Sequence, residues 1–287
     1  MKTDNLREFL KDKYLGALVG FAIGDAMGGP AEFMTKEQIK EKYGVLKNMV
    51  GGGWLGLKPG EVTDDTQMMV AVIEALTEYA INPKCDFKKT VADKFVEWYM
   101  TKPKDVGNCC AVGIEYYLNT SKFIPFDSTA LGNGGLMRAL PCFLFGSLEL
   151  NFLQNNVTHN SYMSINCIRR YHEFMNKILF NGRITAADDD MEEKPNPTGK
   201  VTDTFTLAKH WTCISNSFYE AIVNAINDGG DADTIGAITG SMAGLRYGFN
   251  GIVYDWFDCL DKNLFKKLDE FADLAVEHAM DRMLNWC

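Results

Sequence analysis

Apolar residues recur at helical spacing through most of the chain. Leu15, Leu18, Val19, Ala22 and Ile23 fall on one helix face, and so do Met68, Met69, Val72, Leu76 and Ala80. The stretches 90–99, 161–180, 217–227 and 264–286 carry the same period. Strict alternation of apolar and polar residues, the mark of a half-buried strand, is scarce. The pattern predicts an all-α fold. Glycine and proline break it at Gly51-Gly52-Gly53, at Lys58-Pro59-Gly60 and at 132–135. The most polar stretch, 181–200, holds Asp188-Asp189-Asp190, Glu192-Glu193, Pro195 and Pro197, and reads as a surface loop. Acidic clusters lie on both sides of it, so the chain reads as one domain over 1–287 with this loop as an insertion.

The first cluster is Thr63-Asp64-Asp65-Thr66, just before an amphipathic helix. Capping is the common use of such residues: Thr63 would cap, and the aspartates would complement the positive end of the helix dipole. Two carboxylates and a hydroxyl at a rigid helix start also offer hard oxygen ligands of the kind Mg2+ and Mn2+ prefer. The second cluster, Asp231-Ala232-Asp233-Thr234, follows Asn227-Asp228-Gly229-Gly230. Capping accounts for one of its aspartates and leaves the others unexplained. A haloacid-dehalogenase loop is excluded because Thr234 comes one position too early after a helical run. An EF-hand loop is excluded because its twelfth position, counted from Asp231, is Met242. In the helix that follows, Gly236, Gly240 and Gly244 share one face. Each costs about 1 kcal/mol relative to alanine, so the spacing predicts close approach of another helix at the acidic end.

Gly132, Asn133, Gly134 and Gly135 run into Leu136-Met137-Arg138, which reads as a further helix start whose backbone N–H groups suit a phosphate. The loop has neither the Lys-Ser/Thr of a P-loop nor a dinucleotide-fold glycine pattern. Asp25 and Glu32 end an apolar helix, where a carboxylate tends to be buried and paired. Asp105 reads locally as a turn residue, and His159 as a structural histidine.

Composition narrows the partners. The 287 residues carry a formal charge of −9, which disfavours nucleic acid. Leu15 to Gly24 is too short to span a bilayer and Asp25 interrupts it, so no membrane partner is expected. Eight cysteines without a C-x-x-C pair read as free thiols, and the chain as cytoplasmic.

Taken in order, these segments resemble the ADP-ribosylglycohydrolase family, whose members include dinitrogenase reductase activating glycohydrolases and ADP-ribosylarginine hydrolases. GALVGFAIGDAMGGPAE (16–32), TDDTQM (63–68), GNGGLMR (132–138), Thr158-His159, GKVTDTF (199–205) and the stretch 227–248 carry the resemblance. It implies a compact orthogonal multi-helix bundle with two divalent cations, Mg2+ or Mn2+, between helix N-termini. By the same resemblance Thr63, Asp64, Asp65, Asp231, Asp233 and Thr234 are metal ligands. Asp105, Glu32 and Asp65 are the catalytic residues. Glu32, Gly132, Asn133, Gly134, Gly135, Met137 and His159 line the substrate. Asp105 stands in a P-x-D-V-G setting where arginine-directed members have P-x-D-I-G, and the usual Thr-rich run after it is Asn108-Cys109-Cys110 here. Leu131 occupies the position where some serine-directed members stack an aromatic on adenine.

The activity implied is hydrolysis of the N-glycosidic bond between ADP-ribose and a protein arginine, with ADP-ribosylated protein as substrate and ADP-ribose as product. An alternative is an ADP-ribosyl-serine or O-acyl-ADP-ribose hydrolase. A second is a non-catalytic ADP-ribose-binding or immunity protein, whose partner would be an ADP-ribosyltransferase toxin or its target.

Overall fold

The computed structural model describes residues 3–181 and 184–284. Among them, thirteen α-helices follow in chain order: α1 (Thr3–Gly28), α2 (Lys36–Tyr43), α3 (Asp64–Ile81), α4 (Phe87–Met100), α5 (Asn108–Thr120), α6 (Leu140–Leu144), α7 (Leu148–Asn155), α8 (Tyr162–Asn181), α9 (Val201–Ile214), α10 (Phe218–Ile226), α11 (Ala232–Tyr247), α12 (Tyr254–Phe257) and α13 (Lys262–Leu284). The described residues contain no strand; their β pairings are three isolated bridges, Thr35 with Gly229, Gly52 with Leu57 and Gly132 with Lys200. The fold is all-α, as the scarcity of alternation predicts. Asn285 and Trp286, at the end of the last expected helix, lie outside the described residues, as do Gly182 and Arg183 of the polar loop. No described helix is long and apolar enough to cross a membrane.

The second half of α1 and nearly all of α11 are buried on every side, and these two helices form the tightest pair in the fold. Glycine makes that possible. A Cβ placed on Gly16, Gly20 or Gly24 would lie 2.6, 2.4 or 2.0 Å from the carbonyl oxygen of Gly244, Gly240 or Gly236. The pairing sums to a constant residue number, so the helices run antiparallel. The C-terminal end of α1 therefore meets the N-terminal end of α11. Hydroxyls caught in this interior stay satisfied within their own helix: Thr239 Oγ1 donates to Ile235 O at 2.7 Å, and Ser241 Oγ to Ile238 O at 2.7 Å.

One expectation needs correction. Leu136-Met137-Arg138 is a turn; helix α6 begins only at Leu140, with Pro141 in its first turn. Asn133 O closes the turn by accepting from Leu136 N and Met137 N, while the Asn133 side chain is tied elsewhere. The segment 199–205 leads into the 14-residue helix α9.

Candidate metal centre and active site

Three helix ends meet at one place. The first is the start of α3. Thr63 is its N-cap, with Oγ1 accepting from Asp65 N at 3.4 Å, so the capping reading holds for this residue. The second is the end of α1. Asp25 is fully buried and accepts from Thr63 N at 3.0 Å, Thr63 Oγ1 at 2.8 Å and Thr66 N at 3.0 Å, which fixes α3 to α1. The third is the start of α11. Gly229 and Gly230, with φ of 78° and 65°, make the turn before Asp231. A Cβ on Gly230 would fall 1.7 Å from Pro197 O, and Asp231 N donates to that same oxygen at 2.9 Å. The inner end of the polar loop is therefore part of this turn rather than free surface.

Asp231 occupies the N-cap position of α11 but makes no side-chain capping bond. Its carboxylate turns into the site, accepting from Asn133 Nδ2 and from Thr234 Oγ1, the latter at 3.3 Å. Thr234 Oγ1 also lies 3.2 Å from Asp65 Oδ2, which bridges the two acidic clusters across the fold. Ligand-type oxygens of Asp25, Asp65 and Asp233 lie within 4.8 Å of one another, as do those of Glu32, Asp231 and Asp233. Asp64 lines the same cavity but belongs to neither group; its Oδ2 accepts from Gly107 N at 3.3 Å.

Burial and mutual repulsion shape these carboxyls. Desolvation is the largest cause throughout. It pushes Asp25 up to about 6, Asp64 to about 7 and Glu32 to about 8. Asp65 and Asp233 are raised well above the usual carboxylate range, each also by the other clusters' charges, and Asp231 and Asp105 are raised as well. Asp65 Oδ1 is buried with no hydrogen-bond partner. A fold that buries this many carboxyls, one with an orphaned oxygen, fits divalent cations bound by oxygen donors.

The site opens into a cavity of about 390 Å3, bordered by Glu32, Asp64, Asp65, Asp105, Asp231, Asp233 and Thr234 together with Gly132, Asn133, Gly134, Met137 and His159. Gly135 sits just behind it, where a Cβ would meet Asn155 Oδ1 at 1.8 Å. Asn133 N donates to Gly199 O at 3.0 Å and its Nδ2 to Thr204 Oγ1 at 2.9 Å, so Asn133 ties the glycine loop to α9 and to Asp231. Arg138, fully buried, lies below the loop, with its Nη2 donating to Thr158 Oγ1 at 2.5 Å. Thr158 Oγ1 is 2.8 Å from His159 Nδ1, which leaves Nε2 facing the loop. A Cβ on Gly132 would lie 3.0 Å from His159 Nε2. Burial, reinforced by Arg138, pushes His159 down to about 3, so it is neutral. Cys109 and Cys110 border the cavity too, and burial pushes the Cys110 thiol up to about 11, away from thiolate chemistry. A larger groove of about 810 Å3 lies between α3, α4 and the start of α13, but most of its charges are paired, as in Lys104–Glu61 and Lys267–Glu74, and it contains none of the clustered carboxyls.

Two residues escaped the sequence reading of the site. Asp25 was recognisable as a buried charge, yet only its bonds to Thr63 and Thr66 place it among the clusters. Trp54, on the rim, donates from Nε1 to Glu32 Oε2 at 2.6 Å, and no local pattern around it signals that contact.

This chain also matches known proteins. The family model described as ADP-ribosylglycohydrolase matches residues 6–169 and 166–284. The ADP-ribosyl-[dinitrogen reductase] glycohydrolase of Rhodospirillum rubrum is 32% identical over 285 residues, covering 92% of this chain and 96% of that protein. An ADP-ribosylarginine hydrolase of Pseudomonas putida is 29% identical over 303 residues, covering 93% of this chain and 79% of that protein. A solved structure titled ADP-ribosylglycohydrolase-related protein complex superimposes with a TM-score of 0.79 at 25% identity, covering 94% of this chain and 99% of its own. With the family model spanning nearly all of α1 to α13, this chain belongs to the ADP-ribosylglycohydrolase family.

Proposed function

We propose that the protein hydrolyses the N-glycosidic bond of ADP-ribosylated arginine on proteins, releasing ADP-ribose. The observation that carries this reading is the convergence of the Asp25–Asp65 and Asp231–Asp233 helix ends beside a glycine loop in one cavity. Similarity to the R. rubrum and P. putida proteins, whose names specify dinitrogen reductase and arginine, supports the linkage. Free cysteines and the acidic surface support a cytoplasmic setting.

Thr63, Asp64, Asp65, Asp231, Asp233 and Thr234, now joined by Asp25, would hold two divalent cations, Mg2+ or Mn2+. When bound, such cations would supply a water of lowered pKa and positive charge against the ribose oxygens. Asp65, anchored through Thr63 and Thr234, orients the attacking water. The 132–135 loop and Met137 hold the diphosphate side, and His159 presents its neutral ring there. The leaving guanidine nitrogen must take up a proton. Asp105 or Glu32 supplies it, since each borders the cavity and burial raises both carboxyls above the usual carboxylate range, Glu32 to about 8. The test is release of free ADP-ribose from arginine-linked and serine-linked peptides. Release from the arginine peptide is expected. Release from the serine peptide alone, or ADP-ribose binding with no turnover of either, overturns the reading.

The carboxyls also set a pH dependence. In the unfolded chain they lose their protons near pH 4. In the fold Asp25, Asp64 and Glu32 hold them to about 6, 7 and 8. The native state therefore binds more protons across that window, and the metal-free fold loses stability as pH rises through it. Metal-free protein is expected to melt at lower temperature at pH 8 than at pH 6, and saturating Mg2+ or Mn2+ should narrow the gap. A chelated protein that melts higher at pH 8 would contradict the assignment.

A further inference from the structure

Phe33 and Trp54 stand exposed at the mouth of the cavity, 69% and 53% accessible, with ring centroids 5.5 Å apart and planes tilted by 41°. Exposed aromatics occur elsewhere on the surface, as at Phe126 and Tyr162, but this pair borders the cavity of the clustered carboxyls. The backbone makes their placement specific. Phe33 has φ of 62°, a left-handed conformation that bulky residues seldom adopt. It is pinned there by Phe33 N donating to Gly230 O at 2.6 Å and by Gly230 N donating to Met34 O at 2.8 Å. A residue held in a strained conformation to present an aromatic ring to solvent points to a contact made by that ring. Trp54 is held in turn by its bond to Glu32 Oε2.

The position identifies the side of the substrate concerned. The pair is tied to Glu32 and to Gly230, the neighbours of the Asp231–Asp233 cluster, whereas the glycine loop packs against His159. Two open aromatic faces at the mouth of the cavity match a flat, delocalised guanidine group, which stacks on aromatic rings. We propose that Phe33 and Trp54 form a platform that binds the arginine side chain of the target protein, the leaving side of the scissile bond, and so help determine linkage specificity. This rests on the arginine reading above.

The test compares Phe33→Ala, Trp54→Ala, Trp54→Phe and Phe33→Gly with the wild type on an arginine-linked peptide, with free ADP-ribose as a competing product. Trp54→Ala and Phe33→Ala are expected to raise KM about tenfold, and the inhibition constant of free ADP-ribose should stay within twofold of wild type. Trp54→Phe keeps a ring but loses the N–H to Glu32, and should retain most of the wild-type KM. Phe33→Gly relieves the left-handed backbone while removing the ring, so it should melt no lower than wild type and still show the raised KM. An unchanged KM in a well-folded Phe33→Gly overturns the proposal. So does a parallel rise in the ADP-ribose inhibition constant, which would place adenine on the platform instead. If the wild type releases nothing from the arginine peptide, the arginine reading itself fails and this inference falls with it. Turnover by the wild type with unaltered KM in every variant overturns this inference alone.

Discussion

Replacing Asp231 and Asp233 together by asparagine is expected to cut ADP-ribose release by at least about a thousandfold, with the helical circular dichroism intact. Asparagine keeps the shape of each side chain and suits the N-cap position that Asp231 occupies. What it removes is negative charge from both oxygen groups, since Asp233 belongs to each. The loss of a bound cation's contribution, several kcal/mol, corresponds to about three orders of magnitude at roughly 1.4 kcal/mol per tenfold. Stability should move the other way. Asp233 raises the Asp65 carboxyl, and Asp231 raises both, so neutralising two of the three relieves repulsion in the metal-free fold. A variant that melts higher without metal and turns over nothing is the signature of a site built for chemistry at the expense of stability. Full activity in the double variant would remove the metal-site reading.

Gly24→Ala is expected to destabilise the protein by about 3 kcal/mol, seen as a fall in melting temperature of roughly 10 °C. Alanine alone would favour the helix by about 1 kcal/mol. Its methyl, however, would sit 2.0 Å from Gly236 O and 2.4 Å from Gly236 C. Those are backbone atoms, which no rotamer change can move away, so steric cost exceeds propensity gain. Relief requires α1 and α11 to separate, and that displaces Asp25 from Asp233. Activity should therefore fall with stability, unlike in the Asp231/Asp233 variant. Wild-type thermal stability for Gly24→Ala would contradict the close-packed pair.

Much of this was legible in the sequence. α3 follows from Met68, Met69, Val72 and Leu76, and its start from Thr63. The Gly236, Gly240 and Gly244 stripe announces a closely approaching helix; that the partner is α1, through Gly16, Gly20 and Gly24, comes from the structure. What local patterning did not contain is the meeting of Thr234 with Asp65, a contact across 169 residues set by tertiary packing. The family resemblance supplied that pairing; periodicity could not. The turn at Leu136–Arg138 was misread because a single Asn133-closed turn has the same local pattern as a helix start. Trp54 and the pinned Phe33 depend on contacts with Glu32 and Gly230, and no spacing rule reaches them.

The central claim is that the helix ends of α1, α3 and α11 form one cation-dependent centre for ADP-ribose release. The direct measurement is turnover of an arginine-linked peptide by chelated protein as Mn2+ is added back, with bound Mn2+ counted in parallel by electron paramagnetic resonance. The account predicts no release in chelator, recovery as two sites fill, and neither filling nor recovery in Asp231→Asn/Asp233→Asn. Undiminished release in the presence of chelator, with no bound metal, would contradict it.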